Sequence, residues 1–337
     1  MSVDPTSDFL VRVFVQGLLA FAIAICLTPV YTYFAYRYKL WKKPRQTSST
    51  GETASLFISL HAEKHKRNIP TMAGVIIIIS VVLSTVLSGN LSRSQTWLPI
   101  FGLIAAGAVG ATDDLINLSK FKAEGLKITV KFLSVLVIAI LAGLYFYLKL
   151  DYSSISVPLI GSHDLGWMIV PLFAIVVVSS ANAVNISDGL DGLSGGLLCM
   201  AFTSFSIIAL LRGQIGLAVF CAALTGASLA YTWFSIYPAR FFMGDIGSFS
   251  LGTSLGIIAM LTDSLFLLPI IGFVFVVETF SSIIQIGSKR LFNKKVFKLA
   301  PLHHHFEAVG WPETKVTMRF WIIGAISAML GIILSLI

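Results

Sequence analysis

Five aspartates stand at the ends of long apolar runs, where an uncompensated carboxylate is costly. Of the chain's 16 acidic residues these are Asp113, Asp114, Asp188, Asp191 and Asp245, and the triplet His303–His305 is predicted on the same side of a membrane. A metal, a cation or a phosphorylated substrate would compensate such charges. Four separate loops converging on one acidic patch therefore predict an active site that handles phosphate through a divalent metal.

The segment Asn182–Gly192 is the most specific of these stretches. It holds Asn182, Asn185, Asp188 and Asp191 and contains no Lys or Arg. Its two aspartates are three positions apart, so one helical turn would place them on one face. Such hard oxygen ligands suit Mg²⁺, whereas the short spacing excludes a calcium-binding EF-hand. A polar turn with Asp as a helix cap is the other interpretation, but the missing local cations favour a functional site.

Asp113 and Asp114 follow an apolar helix directly. Adjacent carboxylates repel, so the pair needs a nearby metal or a lysine. The same loop supplies lysines at positions 120, 122, 127 and 131. The pair alone leaves two interpretations open, a metal-dependent site or a helix end whose charge these lysines neutralise.

The loop before the second apolar run supplies further candidates. Pro70-Thr71 predicts a helix N-terminus, which can hold an anion. Lys66 and Thr71 are therefore candidate phosphate or nucleotide contacts, although a basic anchor at lipid headgroups is the other interpretation of this loop. Later in the chain, Phe241-Phe242 precede Asp245, and these rings are either interface aromatics or a surface on which a base stacks.

The histidine triplet and one intramembrane carboxylate complete the candidates. His303, His304 and His305 would point in different directions on any regular backbone, so contacts to phosphate fit them better than one zinc site. Glu278 lies inside an apolar run, where a carboxylate is a functional candidate unless helix packing satisfies it.

Composition shows which elements must position these residues. The 337 residues are 56% hydrophobic and 12% charged, with a mean hydropathy of +0.87, whereas a soluble protein carries about twice that charged fraction. Ten apolar runs approach the roughly 20 residues that cross a bilayer. They are Phe9–Tyr36, Thr71–Gly89, Trp97–Thr112, Ile128–Leu150, Leu165–Ala181, Gly192–Leu211, Ile215–Phe234, Ile246–Leu261, Leu265–Gly287 and Met318–Ile337. The chain is therefore predicted to be an all-α polytopic membrane protein, with one domain over residues 1–337.

Charge predicts the orientation of these spans. All but four of the 24 Lys and Arg residues fall in alternate loops, the exceptions being Arg12, Arg93, Lys149 and Arg212. By the positive-inside rule the basic loops are cytoplasmic and both termini are outside. The basic residues are spread over juxtamembrane loops, which favours anionic headgroups and phosphorylated substrates over nucleic acid. The first run is too long for a signal peptide and is preceded by acidic residues, so it is expected to remain a helix. In loop 151–164, which is predicted to be extracytoplasmic, Val157–Gly161 is expected to form a short hairpin.

Taken together, the motifs resemble those of the polyprenyl-phosphate N-acetylhexosamine-1-phosphate transferases. The resemblance rests on Asp113-Asp114, Asn185–Gly192, Phe242–Asp245 and Pro301–Glu307, and it covers nearly the whole chain. The aspartate motifs mark the wider superfamily. The histidine triplet with Phe306-Glu307, followed by Gly310–Glu313, is similar to the phospho-N-acetylmuramoyl-pentapeptide transferase branch in particular.

This resemblance implies a reaction, a cofactor and a location. Undecaprenyl phosphate would attack UDP-N-acetylmuramoyl-pentapeptide to give lipid I and UMP, with Mg²⁺ as cofactor. The product serves peptidoglycan synthesis and cell-wall biogenesis, and through them cell shape and cell division. A multi-pass homodimer in the bacterial cytoplasmic (inner) membrane is expected, with the active site on the cytoplasmic face and no nucleic-acid partner.

The resemblance also assigns roles to residues. It gives Mg²⁺ to Asp245 and Asp188, and it gives catalysis to Asp113, Asp114 and Asp188, with Asp113 orienting or deprotonating the lipid phosphate. Phe242 would stack on uracil. Contacts with the nucleotide-sugar would come from Lys66, Thr71, Lys131, Asn182, Asn185, Asp191, His303, His304 and His305.

Two departures and two alternatives accompany this hypothesis. Ile69–Gly74 stands where members usually carry Thr-Pro-Thr-Met-Gly-Gly, and Ser235 replaces an Asn near the expected nucleotide pocket.

A sister transferase using UDP-N-acetylglucosamine would share the aspartates, but the His-His-His-Phe-Glu segment argues against it. A membrane transporter would collect its polar residues near the bilayer midplane, often with internal repeats, whereas here they lie at one face.

Overall fold

The structure is a computed structural model, and it describes residues 5–41, 67–90, 94–118, 125–157 and 160–337. It is a helical bundle with one small hairpin. In chain order the elements are α1 (Pro5–Arg37), α2 (Gly74–Leu87), α3 (Ser94–Leu118), α4 (Ile128–Leu148), β1 (Ser154–Val157), β2 (Gly161–Asp164), a 3-10 turn (Gly166–Met168), α5 (Ile169–Ser187), α6 (Leu193–Leu211), α7 (Ile215–Ser235), α8 (Gly244–Leu261), α9 (Leu268–Ile271), α10 (Phe273–Phe292), α11 (Leu302–Ala308) and α12 (Glu313–Leu334).

Within the described ranges, eight helices are long and apolar enough to cross a membrane, namely α1, α3 to α8 and α12. Two of the ten predicted spans fall short of that standard. The run Thr71–Gly89 yields only the 14-residue helix α2, which is about 21 Å long against a hydrocarbon core of about 30 Å. The run Leu265–Gly287 is divided at Gly272 into the short helix α9 and the helix α10, which is 20 residues long but carries Glu278, Lys289 and Arg290.

Helix α8 forms the centre of the bundle. Its span is 94% buried, whereas the spans of α1, α4 and α12 are 17%, 28% and 33% buried. Small residues permit this central position because they let helix backbones approach closely. A Cβ added at Gly252 would lie 2.7 Å from the Cα of Ala181, and one added at Gly256 would lie 2.9 Å from the Cα of Val177. Helix α5 therefore packs directly against α8.

The hairpin lies where α8 ends. Strands β1 and β2 are antiparallel, and Val157 pairs with Gly161 as the sequence predicts. Asp263, in the turn after α8, accepts a hydrogen bond from the backbone N–H of Ser156 at 2.9 Å and one from the Ser156 hydroxyl. The all-α prediction therefore holds except for this two-stranded element, which caps the end of the bundle opposite the first turn of α8.

Candidate active site

Three carboxylates converge at the first turn of α8. Asp113 and Asp114 belong to the last part of α3, and Asp245 is the second residue of α8. One carboxylate oxygen from each of the three lies within 4.8 Å of the others. Asp113 and Asp114 are fully buried, and Asp245 is partly exposed. These three residues, the acidic cluster, form a group of hard oxygen donors of the kind that Mg²⁺ prefers.

Glycine contacts explain why the acidic cluster forms. A Cβ at Gly110 would lie 2.2 Å from the carbonyl oxygen of Asp245, so α3 touches the backbone of α8. A Cβ at Gly244, whose φ is +73°, would lie 2.5 Å from Asp114 Oδ2. Any other residue at Gly244 would meet both a steric and a conformational barrier. The backbones must therefore pass without intervening side chains for the three carboxylates to meet.

Lys131 of α4 lies between two members of the acidic cluster. Its Nζ is 2.6 Å from Asp113 Oδ2 and 2.7 Å from Asp245 Oδ2. The backbone N–H of Leu126 donates to Asp113 Oδ1 at 2.6 Å, and the side chain of Asn117 donates to Asp113 Oδ2 at 3.2 Å. Lys131 thus brings a positive charge to two of the three carboxylates. A divalent cation would further reduce the repulsion among all three.

Asn117 is a site residue that the sequence reasoning missed. It lies four positions after Asp113 on α3, the spacing at which helical side chains contact each other. That spacing was the signal that would have revealed it. The backbone N–H of Ile246 similarly supports Asp114, donating to its Oδ2 at 3.2 Å, but nothing in the sequence pattern indicates this contact.

Asp188 and Asp191 do not share a helix face, contrary to the prediction from their spacing. Helix α5 ends at Ser187 and α6 begins at Leu193, so both carboxylates lie in the turn between them. The backbone is no longer helical at Asp188 (φ −85°, ψ 46°), and Gly192, whose left-handed backbone has φ +73°, then starts α6 in a new direction. Asp188 is half-buried and accepts a hydrogen bond from the Ser194 hydroxyl.

Asp191 is buried and tied to the protein on several sides. Its Oδ2 accepts a hydrogen bond from the backbone N–H of Ala239 at 2.9 Å and lies 3.8 Å from Arg67 Nη2. Its own N–H donates to Glu313 Oε1 at 2.6 Å. These contacts connect the turn to the loop before α8 and to the start of α12. These contacts show that Asp191 stabilises the turn. Its predicted contact with the nucleotide-sugar stays a prediction.

The two asparagines point to different partners. Asn185 Nδ2 donates to Ser248 Oγ at 2.8 Å and so connects α5 with α8 beside the acidic cluster. Asn182 Nδ2 donates to the carbonyl of Val178 within its own helix, also at 2.8 Å. Asn185 thus lies one turn of α8 away from Asp245.

The three histidines make three separate contacts on α11. His303 is buried, with Nδ1 2.8 Å from Glu278 Oε2, and its N–H donates to Glu278 Oε1 at 3.1 Å. His304 Nδ1 lies 2.7 Å from Glu307 Oε2, whereas His305 Nδ1 accepts the N–H of Lys298 at 3.2 Å. The three histidines therefore have three different hydrogen-bonding partners, although the rings of His303 and His304 lie next to each other. Glu278 is satisfied by this pairing, which resolves the question that the sequence left open.

The turn at Asp188 and the histidines are in direct contact. A Cβ added at Gly189 would lie 2.3 Å from His303 Nε2 and 3.2 Å from His304 Nε2. The ring centroids of the two histidines are 4.1 Å apart. Only a residue without a side chain lets this turn approach the rings so closely. The structure therefore joins two motifs that are more than a hundred residues apart in the chain.

Thr71 and Phe242 lie in two paired segments next to the acidic cluster. Phe242 N donates to the carbonyl of Pro70 at 2.8 Å, and Ala73 N donates to the carbonyl of Phe242 at 3.0 Å. Thr71 is buried, and a Cβ at Gly244 would lie 2.8 Å from its Oγ1. The predicted helix start at Pro70-Thr71 is wrong, because this segment is extended against residue 242 and α2 begins at Gly74.

The two phenylalanines before α8 differ in environment. Phe241 is buried, and its ring centroid lies 5.4 Å from that of Tyr31. Phe242 keeps an accessible side chain, as a ring that stacks on a base requires. Lys66, the remaining predicted contact, lies outside the described residues.

Comparisons with known proteins agree with this architecture. Residues 96–263 match the model for glycosyl transferase family 4. A phospho-N-acetylmuramoyl-pentapeptide-transferase of Chloroflexus aggregans is 36% identical, covering 97% of this chain and 92% of that protein. The enzyme of the same name from Geobacillus thermodenitrificans is 36% identical over 93% of this chain and 95% of its own, and that of Syntrophus aciditrophicus is 39% identical over 80% and 81%.

The matched residues 96–263 contain the acidic cluster, Lys131 and the turn at Asp188. The longer alignments with the relatives extend over almost the entire chain and so include α10 to α12 as well. By this combination of site and sequence, the chain belongs to the phospho-N-acetylmuramoyl-pentapeptide transferase family.

Proposed function

We propose that this protein transfers phospho-N-acetylmuramoyl-pentapeptide from its UDP-linked donor to undecaprenyl phosphate, giving lipid I and UMP for peptidoglycan synthesis. The observation that carries the proposal is the acidic cluster bridged by Lys131 at the end of an apolar bundle. A lipid phosphate arrives from the bilayer and a nucleotide-sugar from water. Both can reach a site at that position.

The acidic cluster fits Mg²⁺, since its donors are all carboxylate oxygens and one from each residue lies within 4.8 Å of the others. In the proposed site Asp245 would hold the ion, with Asp188 as the second ligand. Asp113 and Asp114, the other members of the acidic cluster, would lie next to it. When bound, Mg²⁺ offsets the charge of the donor diphosphate and of the developing transition state. The cluster alone would repel two anionic substrates.

The chain's own residues have distinct proposed tasks. Asp113 orients the lipid phosphate or accepts its proton, and Asp114 keeps the first turn of α8 in place through the N–H of Ile246. Lys131 binds donor phosphate once a metal shares the carboxylates, since an ammonium serves phosphate as a point charge. Phe242 stacks on uracil, while Lys66, Thr71, Asn182, Asn185, Asp191, His303, His304 and His305 contact the nucleotide-sugar.

The topology forms part of the proposal. The eight long helices, with α2 and the pair α9–α10 as the remaining two crossings, would give ten spans within a single domain. Both termini would then lie outside and the acidic cluster on the cytoplasmic side of the bacterial inner membrane. A homodimer is proposed from family resemblance.

The experiment that tests this function is UMP release by purified protein in detergent with undecaprenyl phosphate. Turnover of UDP-N-acetylmuramoyl-pentapeptide, abolished by EDTA and restored by Mg²⁺, is the expected result. Turnover of UDP-N-acetylglucosamine instead would keep the phosphate chemistry and refute the branch. Activity with neither substrate, in well-folded protein, would refute the transferase.

A further inference from the structure

The chain from the last turn of α10 to the start of α11 is strongly basic. Residues 289–298, called the basic turn below, contain five cations, namely Lys289, Arg290, Lys294, Lys295 and Lys298. The sequence has no Asp or Glu from Thr279 to Phe306. The basic turn thus carries a concentrated positive charge beside the histidine helix α11.

Large apolar side chains alternate with these cations. Leu291 is 78% exposed, Phe292 is 70% exposed and Val296 is 55% exposed. Exposed apolar groups interleaved with Lys and Arg are typical of protein segments that lie in the headgroup region of a bilayer. Three accessible apolar side chains would increase neither the solubility of the segment nor its binding of soluble anions.

The backbone of the basic turn is held in place from inside the protein. The buried amide of Gln285 accepts hydrogen bonds from the N–H groups of Val296 and Phe297 at 3.0 Å and donates to the carbonyl of Phe297 at 3.0 Å. Ser288 Oγ donates to the carbonyl of Lys294 at 3.0 Å. These bonds fold residues 294–297 back against the last turns of α10. The apolar and basic side chains are therefore presented by an ordered scaffold.

We propose that the basic turn is a bilayer contact surface that binds anionic phospholipid headgroups on the active-site side of the membrane. Leu291, Phe292 and Val296 lie among the headgroups, and the five cations pair with lipid phosphates. The charge is complementary, because an anionic leaflet attracts each nearby Lys or Arg. Transfer of the apolar side chains from water into the bilayer surface is favourable. Binding of a soluble phosphate would leave these side chains in water.

The surface is coupled to the histidine motif. The N–H of Lys298 donates to His305 Nδ1 at 3.2 Å, and Lys298 Nζ donates to the carbonyl of Ala308 at 3.4 Å. A lipid contact at the basic turn thus stabilises the position of α11. This inference goes beyond the proposed transfer reaction and does not depend on it.

Amide hydrogen exchange of the full-length protein in lipid nanodiscs tests the proposal. Discs of phosphatidylcholine are compared with discs that also contain phosphatidylglycerol. We expect exchange over residues 289–298 to slow by about threefold or more in the anionic discs. The hairpin peptide 154–164, at the opposite end of the bundle, serves as the internal reference and should not change.

Two matched double variants separate charge from fold. The variant K294Q/K295Q should lose most of the lipid-dependent protection, whereas K294R/K295R should retain it. Equal exchange in neutral and anionic discs would overturn the proposal. Protection produced in neutral discs by inorganic phosphate alone would also overturn it, because the cations would then bind a soluble anion. Since exchange requires no turnover, a failed lipid contact and a failed transferase assay are distinguishable.

Discussion

The ammonium of Lys131 lies 2.7 Å from the carboxylate of Asp245, although 114 positions separate the two residues. The same Nζ lies 2.6 Å from Asp113, so one side chain of α4 holds the end of α3 and the start of α8 together. Lys131 therefore compensates these carboxylates. In the proposed function it would also bind donor phosphate.

Replacing Lys131 by Met should increase the repulsion among the carboxylates of the acidic cluster, because the positive charge beside Asp113 and Asp245 is lost. We expect a lower melting temperature in EDTA, and turnover reduced on the order of 100-fold, as when one charge-stabilising donor is removed from an active site. Mg²⁺ should raise the melting temperature of K131M by more than that of the unmodified protein, because the ion replaces a missing positive charge.

The control for this experiment is K131R, which preserves the charge and should keep most of the melting temperature. Thermal unfolding with and without Mg²⁺ provides the measurement. If Mg²⁺ stabilised K131M and the unmodified protein equally, Lys131 would not be compensating the acidic cluster.

Asp245→Asn should remove metal binding while leaving the fold intact. Asn is isosteric, and Asp245 is the partly exposed member of the acidic cluster. We expect UMP release to fall on the order of 100-fold or more, and Mn²⁺ binding followed by electron paramagnetic resonance to weaken in parallel.

Asp164→Asn is the matched control, since this exposed carboxylate lies on the hairpin at the other end of the bundle. It should leave both measurements unchanged. Undiminished turnover in D245N would refute the metal assignment.

Asp191→Ala should mainly lower the stability of the protein, whereas Asp188→Ala should mainly lower its turnover. Removing the Asp191 carboxylate leaves the buried N–H of Ala239 without its acceptor, and such a loss costs about 1–3 kcal/mol of unfolding free energy. Asp188 is half-buried in the same turn, so its removal should reduce turnover with a smaller effect on stability. Denaturant or thermal unfolding and UMP release would be measured on both variants. A D191A protein of normal stability but a raised donor KM would instead support a direct substrate contact.

Gly189→Ala should weaken donor binding through His303. The added methyl group would lie 2.3 Å from His303 Nε2, so the ring must move. Because Glu278 holds its other nitrogen, the ring has little freedom to relax. We expect a donor KM increased by about tenfold, the scale of one lost polar contact.

Gly287→Ala is the control, since a Cβ there meets nothing within 4 Å. It should leave the KM unchanged. The same KM in both variants would show that the close approach of Gly189 to His303 has no bearing on the donor.

The sequence was sufficient to predict the helical membrane class and to select three carboxylates that the structure brings together. The cost of isolated carboxylates at apolar ends is a local property, and it selected Asp113, Asp114 and Asp245 before any packing was known. The separation of Asp188 from Asp191 was not predictable in this way. Spacing alone suits a continuous helix, whereas α5 already ends at Ser187 and the left-handed Gly192 starts α6 in a new direction.

Contacts between distant helices were equally out of reach. Four lysines follow Asp113 in one loop, and only the packing of α4 decides that Lys131 is the one between the carboxylates. The partner of Glu278 is another example, because nothing in α10 indicates that His303 lies against it. Asn117 differs from both, since its spacing from Asp113 was visible in the sequence.

The buried position of α8 determines how the bilayer can act on this protein. Its span is 94% buried, whereas the spans of α1, α4 and α12, called the rim below, are 17%, 28% and 33% buried and would face lipid in a membrane. A change in bilayer thickness is accommodated by tilting or distortion at helices that touch lipid. Hydrophobic mismatch therefore acts first on the rim and reaches Asp245 only through neighbouring helices. Membranes of different thickness should accordingly alter the entry of the lipid substrate more than the geometry of the carboxylates.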